Sequence, residues 1–132
     1  MPAAPRDSLS DAIDAFNRAE YLAAAERFEL LARQLDAELK PLVEVLNRIA
    51  AALHLRFERG GRQGPINLLS QAMLSLEDLG PERAGVDLER LGAELRAFTE
   101  EVRSSPREER DGLKHRGRIF LERRRAPKLE RR

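Results

Sequence analysis

The chain is 132 residues long, 42% apolar and 36% charged, with no cysteine and a formal net charge of +1. That length supports one domain with its own core and excludes two comfortable ones. The missing cysteines exclude disulfides, thiolate metal sites and a cysteine nucleophile. No apolar run approaches the ~20 residues that span a bilayer, and "MPAAPRDSLS" lacks the apolar stretch of a signal peptide, so a soluble, cytoplasmic protein is expected.

The charge is unevenly spread. Residues 1–103 hold 13 Lys+Arg against 18 Asp+Glu, a net of −5, whereas residues 104–132 hold 11 against 5, a net of +6. Ser104, Ser105 and Pro106 mark the change. The expectation is an acidic helical bundle over 1–103 followed by a basic, flexible tail over 104–132.

Apolar spacing in the first part is helical nearly everywhere and strand-like nowhere. Leu9, Ile13 and Phe16 make a first stripe, with Ser8 and Asp11 spaced as a capping box at its start. Ala24, Phe28, Leu31 and Leu35 make a second. Pro41 suits the first turn of a third helix, whose face is Leu42, Leu46, Ile49, Leu53 and Phe57 and which ends at Gly60 and Gly61. A fourth helix carries Ile66, Leu69, Ala72, Met73 and Leu76, and Gly80 followed by Pro81 stops it with a left-handed cap. Asp87 is placed to cap a fifth, over Leu88, Leu91, Leu95, Phe98 and Val102.

Sliding the chain by 41 residues pairs Phe16 with Phe57, Ala19 with Gly60, Phe28 with Leu69, Leu31 with Ala72 and Leu35 with Leu76. Each half reads as helix, tight turn, helix. An all-α fold of two antiparallel helical hairpins closed by the fifth helix is therefore expected, since one hairpin alone cannot bury its apolar face. Ala19, Tyr21, Ala24, Phe28 and Leu31 also fit the turn of a tetratricopeptide repeat, but the offset is too long for that repeat and no third copy follows.

Over residues 9 to 103 the order "FNRAEYLAAAERFELLAR", "IAAALHLRFERGGRQGPINLLSQAMLSLE" and "GVDLERLGAEL" resembles the family known as domain of unknown function 309, a small helical bundle. Tyr21, Glu26, Glu29, His54, Gly60, Gly64, Gly85 and Asp87 match its pattern. Ala25 stands where the family has a histidine, and Ala32 where it has a tryptophan.

Glu26, Glu29 and His54 form the candidate polar pocket. A histidine at position 25 beside these carboxylates would make a set able to hold a divalent metal or move a proton. Alanine removes that imidazole, and Glu29 and Arg33 are spaced as an ordinary helical ion pair. Two readings stay open: a functional pocket completed by His54, or a solvated, salt-bridged strip. "GGRQG" lacks the strand and the Lys-Ser/Thr ending of a phosphate loop, although Arg62 near a helix start offers an anion contact.

In the tail, Arg116, Arg118, Phe120, Arg123, Arg124 and Arg125 are the candidate contact residues for nucleic acid, an acidic protein or an anionic lipid surface. Ile119, Phe120 and Leu121 would supply an apolar anchor. A solubilising extension, or a fold-back of "RIFL" onto the acidic bundle, fits the same residues. The sequence as a whole points to a non-catalytic interaction or scaffolding module with an unknown protein partner and no cofactor. The alternative is a degenerate, metal-dependent, hydrolase-like enzyme using Glu26, Glu29 and His54.

Overall fold

The computed structural model describes residues 5–34, 38–105 and 121–131, and the helical stripes become five α-helices among those residues. They are α1 (Pro5–Asn17), α2 (Tyr21–Gln34), α3 (Lys40–Arg59), α4 (Gln63–Leu79) and α5 (Leu88–Ser104). Each packs against the next in chain order, with α3 between α2 and α4. Leu42, Leu46, Ile49 and Leu53 on α3 are wholly buried. They meet Phe28 and Leu31 of α2 on one side and Leu69 and Ala72 of α4 on the other within a single core cluster. Leu91, Leu95, Phe98 and Val102 close it from α5, the residues expected of that helix. At about 25 cal/mol per Å², burying side chains of this size is the main stabilising contribution.

Local signals account for the helix ends. The φ angles of Ala19 and Gly60 are 63° and 68°, so both tight turns reverse at a left-handed residue, 41 positions apart. Glycine adopts that conformation freely, whereas alanine does so at a cost of about 1 kcal/mol. Phe16 is fully buried but its sequence counterpart Phe57 is only half-buried, and Leu35 lies outside the described residues. Pro41 sits in the first turn of α3, and the N–H groups of Gly60 and Gly61 close its end on Arg56 and Leu55. The Asp87 carboxylate accepts from Arg90 N–H at 3.0 Å, the N-cap expected of it.

Three expectations need correction. The first helix begins at Pro5, before the anticipated cap at Ser8, in keeping with the preference of proline for a helix's first positions. The cap of α4 is not left-handed helical: Gly80 has φ 88° and ψ −172°, an extended mirror conformation that is essentially glycine's own. The chain also contains strand. Glu82–Arg83 (β1) and Val86–Asp87 (β2) form an antiparallel hairpin whose turn residues, Ala84 and Gly85, both have positive φ, 53° and 79°. Two residues per strand are too few to leave a period-2 trace.

Of the expected tail, residues 106–120 lie outside the described residues. Residues 121–131 form a strap laid across α1, the end of α3, the hairpin and α5. Residues 121–124 make a helical turn, and the chain then extends until Arg131 bridges to Val86. Ala126 and Leu129 join the core, and Glu122 is 1% exposed against Arg56. The physical reason is that one acidic and two apolar side chains find matching partners, which outweighs the basic composition around them.

Candidate functional site

The sequence candidates sit on the α2–α3 surface. Glu29 is exposed and pairs with Arg33 at 3.0 Å, the i,i+4 contact its spacing allows. Glu26 is exposed one turn earlier, and His54 is half-buried on α3. Two contacts fix how the helices align. The Asn47 side-chain amide donates to the Ala25 carbonyl at 2.7 Å, and the Tyr21 ring stacks on Phe57 with centroids 5.7 Å apart. The helices therefore run antiparallel, and His54, two turns (about 10 Å) beyond Asn47, lies level with the start of α2. Glu29 lies toward the other end. Among the described residues no three His, Cys, Asp or Glu side chains gather as a metal ion would require.

Between α2 and α3 lies instead an open groove of about 670 Å³. Glu29 and Arg33 line its α2 rim; Lys40, Glu44, Asn47 and Arg48 line the α3 rim. Ala32, Ala51 and Leu68 of α4 supply its small and apolar surface. Neither Glu26 nor His54 is part of it. Sequence reasoning missed the α3 rim, although Glu44, Asn47, Arg48 and Ala51, at i, i+3, i+4 and i+7, form a stripe opposite the apolar face and were readable as such.

The other candidates are largely engaged. Arg62 donates to the carbonyls of Val102 and Arg103, so its guanidinium closes the C-terminal end of α5 rather than facing an anion. Arg123 lies over the Phe57 ring, 5.8 Å from its centroid, and donates to the Ala19 carbonyl. Arg125 pairs with Glu101 at 3.0 Å, and Arg124 is exposed. Arg116, Arg118 and Phe120 lie outside the described residues.

Beneath Arg123, Tyr21 packs edge-on to Phe16 and flat on Phe57. Burial pushes its phenol up to about 12, with Arg123 pulling the other way. Its hydroxyl and that of Thr99 are buried without a hydrogen-bond partner among the described residues. No helix among those residues is long and apolar enough to cross a membrane. No family model, curated protein or solved structure matches the chain.

Proposed function

We propose that this protein is a non-catalytic helical interaction module whose α2–α3 groove receives a segment of a protein partner in the cytoplasm. The observation that supports this is the make-up of the groove: charges of both signs on its rims over a small and apolar lining. Such a rim selects and steers a partner more than it adds affinity, and the lining accepts its apolar side chains. The resemblance to domain of unknown function 309 fits this reading. Ala32, where that family carries tryptophan, lines the groove, so an indole there would occupy part of the space.

Filling the groove is the test. Ala32→Trp is expected to preserve the helical circular dichroism and to abolish recovery of a partner that tagged wild-type protein captures from an extract of its own cells. Recovery of the same partners by both proteins would remove the groove from the function. For the enzyme alternative, calorimetry with zinc, manganese and magnesium is decisive. No micromolar binding is expected, and binding abolished by Glu26→Gln or Glu29→Gln would reinstate it.

A further inference from the structure

Residues 121–131 are held by the bundle as a receptor holds a peptide. Both Glu122 carboxylate oxygens accept from one guanidinium, Arg56 Nε at 2.8 Å and Nη2 at 2.7 Å, while Arg56 Nη1 donates to the Gly61 carbonyl. Both side chains are at most 4% exposed. A buried pair of this kind carries a large desolvation cost, so a segment without the carboxylate leaves Arg56 charged and unpaired, which discriminates strongly.

Seven residues on, the backbone itself is clamped. The Asn17 amide donates to the Leu129 carbonyl at 2.9 Å and accepts from the Leu129 N–H at 2.8 Å, both bonds a neighbouring strand would make. Asp87 N–H donates to the Glu130 carbonyl at 2.8 Å. Ala126, between the charge site and the clamp, and Leu129, at the clamp itself, enter the core surface, 5% and 3% exposed. Charge pocket, apolar pockets and backbone clamps together are how grooves read extended peptides.

We propose that the surface under the strap is a peptide-binding groove, that residues 121–131 are its resident occupant, and that it takes in trans a segment of a partner protein bearing Glu-x-x-x-Ala-Pro-x-Leu, helical at its glutamate and extended beyond it. This surface is separate from the α2–α3 groove, and its fate does not depend on that reading. Residues 106–120 separate the strap from α5 in sequence, and the five helices pack on one another in chain order without it. It therefore leaves without taking a helix apart. Because the resident segment belongs to the same chain, it competes with any segment offered in trans and suppresses trans binding until it is loosened.

The experiment uses the full chain. Glu122→Lys places a cation against Arg56 and ejects the strap. A fluorescent peptide of residues 121–131 with its native glutamate is expected to bind this variant at least about 30-fold more tightly than wild type, whose own strap competes. The same peptide with glutamine at that place should bind at least about 10-fold more weakly, having lost the charge-assisted pair. Equal affinity for variant and wild type, or indifference to the glutamine, would overturn the proposal. Hydrogen exchange on wild type decides independently of whether the variant folds: the amides of Leu129 and Asp87 should exchange at least about 100-fold faster than those of Ile49 and Leu53, through an opening that spares the core. Exchange at the core rate would overturn it, as would a doubled mass by light scattering at micromolar concentration, which would assign the groove to a second copy.

Discussion

The interior shared by α2, α3 and α4 and the seat of the strap are built on opposite principles. Phe28, Leu46, Ile49 and Leu69 are wholly buried among other apolar side chains, where no single contact is directional and volume is what matters. Arg56, Asn17 and Asp87 hold the strap through few bonds, each with a defined donor and acceptor. Damage in the first region has no escape, because a cavity between packed helices cannot collapse fully. Damage in the second is relieved when the strap lifts and water reaches Arg56, so its cost is capped at the free energy of docking.

The largest effect should come from the interior. Phe28→Ala is expected to cost about 3 to 5 kcal/mol in urea unfolding, the range for deleting a fully buried ring. A loss below about 1 kcal/mol would mean that the α2–α3 interface relaxes as readily as the strap, and the contrast between the regions would fail.

Tyr21 sits where the two regions meet, against Phe16 on one side and under the influence of Arg123 on the other. Its folded-state value is raised from 10.0 to about 12, chiefly by burial. The unfolded chain therefore releases the phenolic proton first. Stability is therefore unaffected by this group below pH 10 and falls as pH rises to about 12, by roughly 2 to 3 kcal/mol at about 1.4 kcal/mol per unit, because the buried site penalises the phenolate. Tyr21→Phe should remove this alkaline slope and be neutral or slightly stabilising at pH 7, because the hydroxyl has no partner among the described residues. If stability at pH 11.5 falls equally in Tyr21→Phe, another group is responsible. If releasing the strap hydrates the phenol, Glu122→Gln should move its spectroscopic titration back toward 10.

At the strap, Glu122→Gln breaks a pair whose disruption costs about 3 to 5 kcal/mol when both groups stay buried. With undocking as an escape, about 1 to 3 kcal/mol is expected, and Leu129→Ala should lie in the same range. The sharper measurement is their sum. Because either change releases the same segment, the double variant should lose little more than the worse single one. Full additivity would mean that the strap yields contact by contact, as a core does.

The same contrast separates what was legible in the sequence from what was not. Helices announce themselves through local periodicity, and the Asp87 cap and the turn at Gly60 through single residues with local geometric roles. The Glu29–Arg33 pair was legible for the same reason. The separation of His54 from Glu29 was not, because spacing along one helix says nothing of the offset between two; Asn47 on Ala25 and Tyr21 on Phe57 set that offset. The strap was hidden by its composition. Among 11 basic residues in 104–132, its docking depends on one glutamate and two apolar side chains whose partners lie 66 or more residues away or on other elements.

The smallest expected effect on stability belongs to the arginines that made that segment conspicuous. Arg125 pairs with Glu101, and Arg123 reaches Glu58 at 3.6 Å, with side chains 65% and 42% exposed. Exposed pairs contribute about 0 to 1 kcal/mol and weaken with salt, so replacing Arg123, Arg124 and Arg125 by alanine should leave thermal stability within about 1 kcal/mol of wild type. Under the reading in which these residues contact nucleic acid, the same variant should lower the slope of log affinity against log salt by about two to three, since each phosphate contact contributes about 0.7 to 0.9. A polyanion would first have to displace Glu101 from Arg125 and Glu58 from Arg123, and those screened pairs offer it little resistance. An unchanged slope would leave the arginines as the solvated edge of the strap. A stability loss of several kcal/mol would instead show that they hold the strap as firmly as Arg56 does, and the division between directional anchors and surface charge would be drawn in the wrong place.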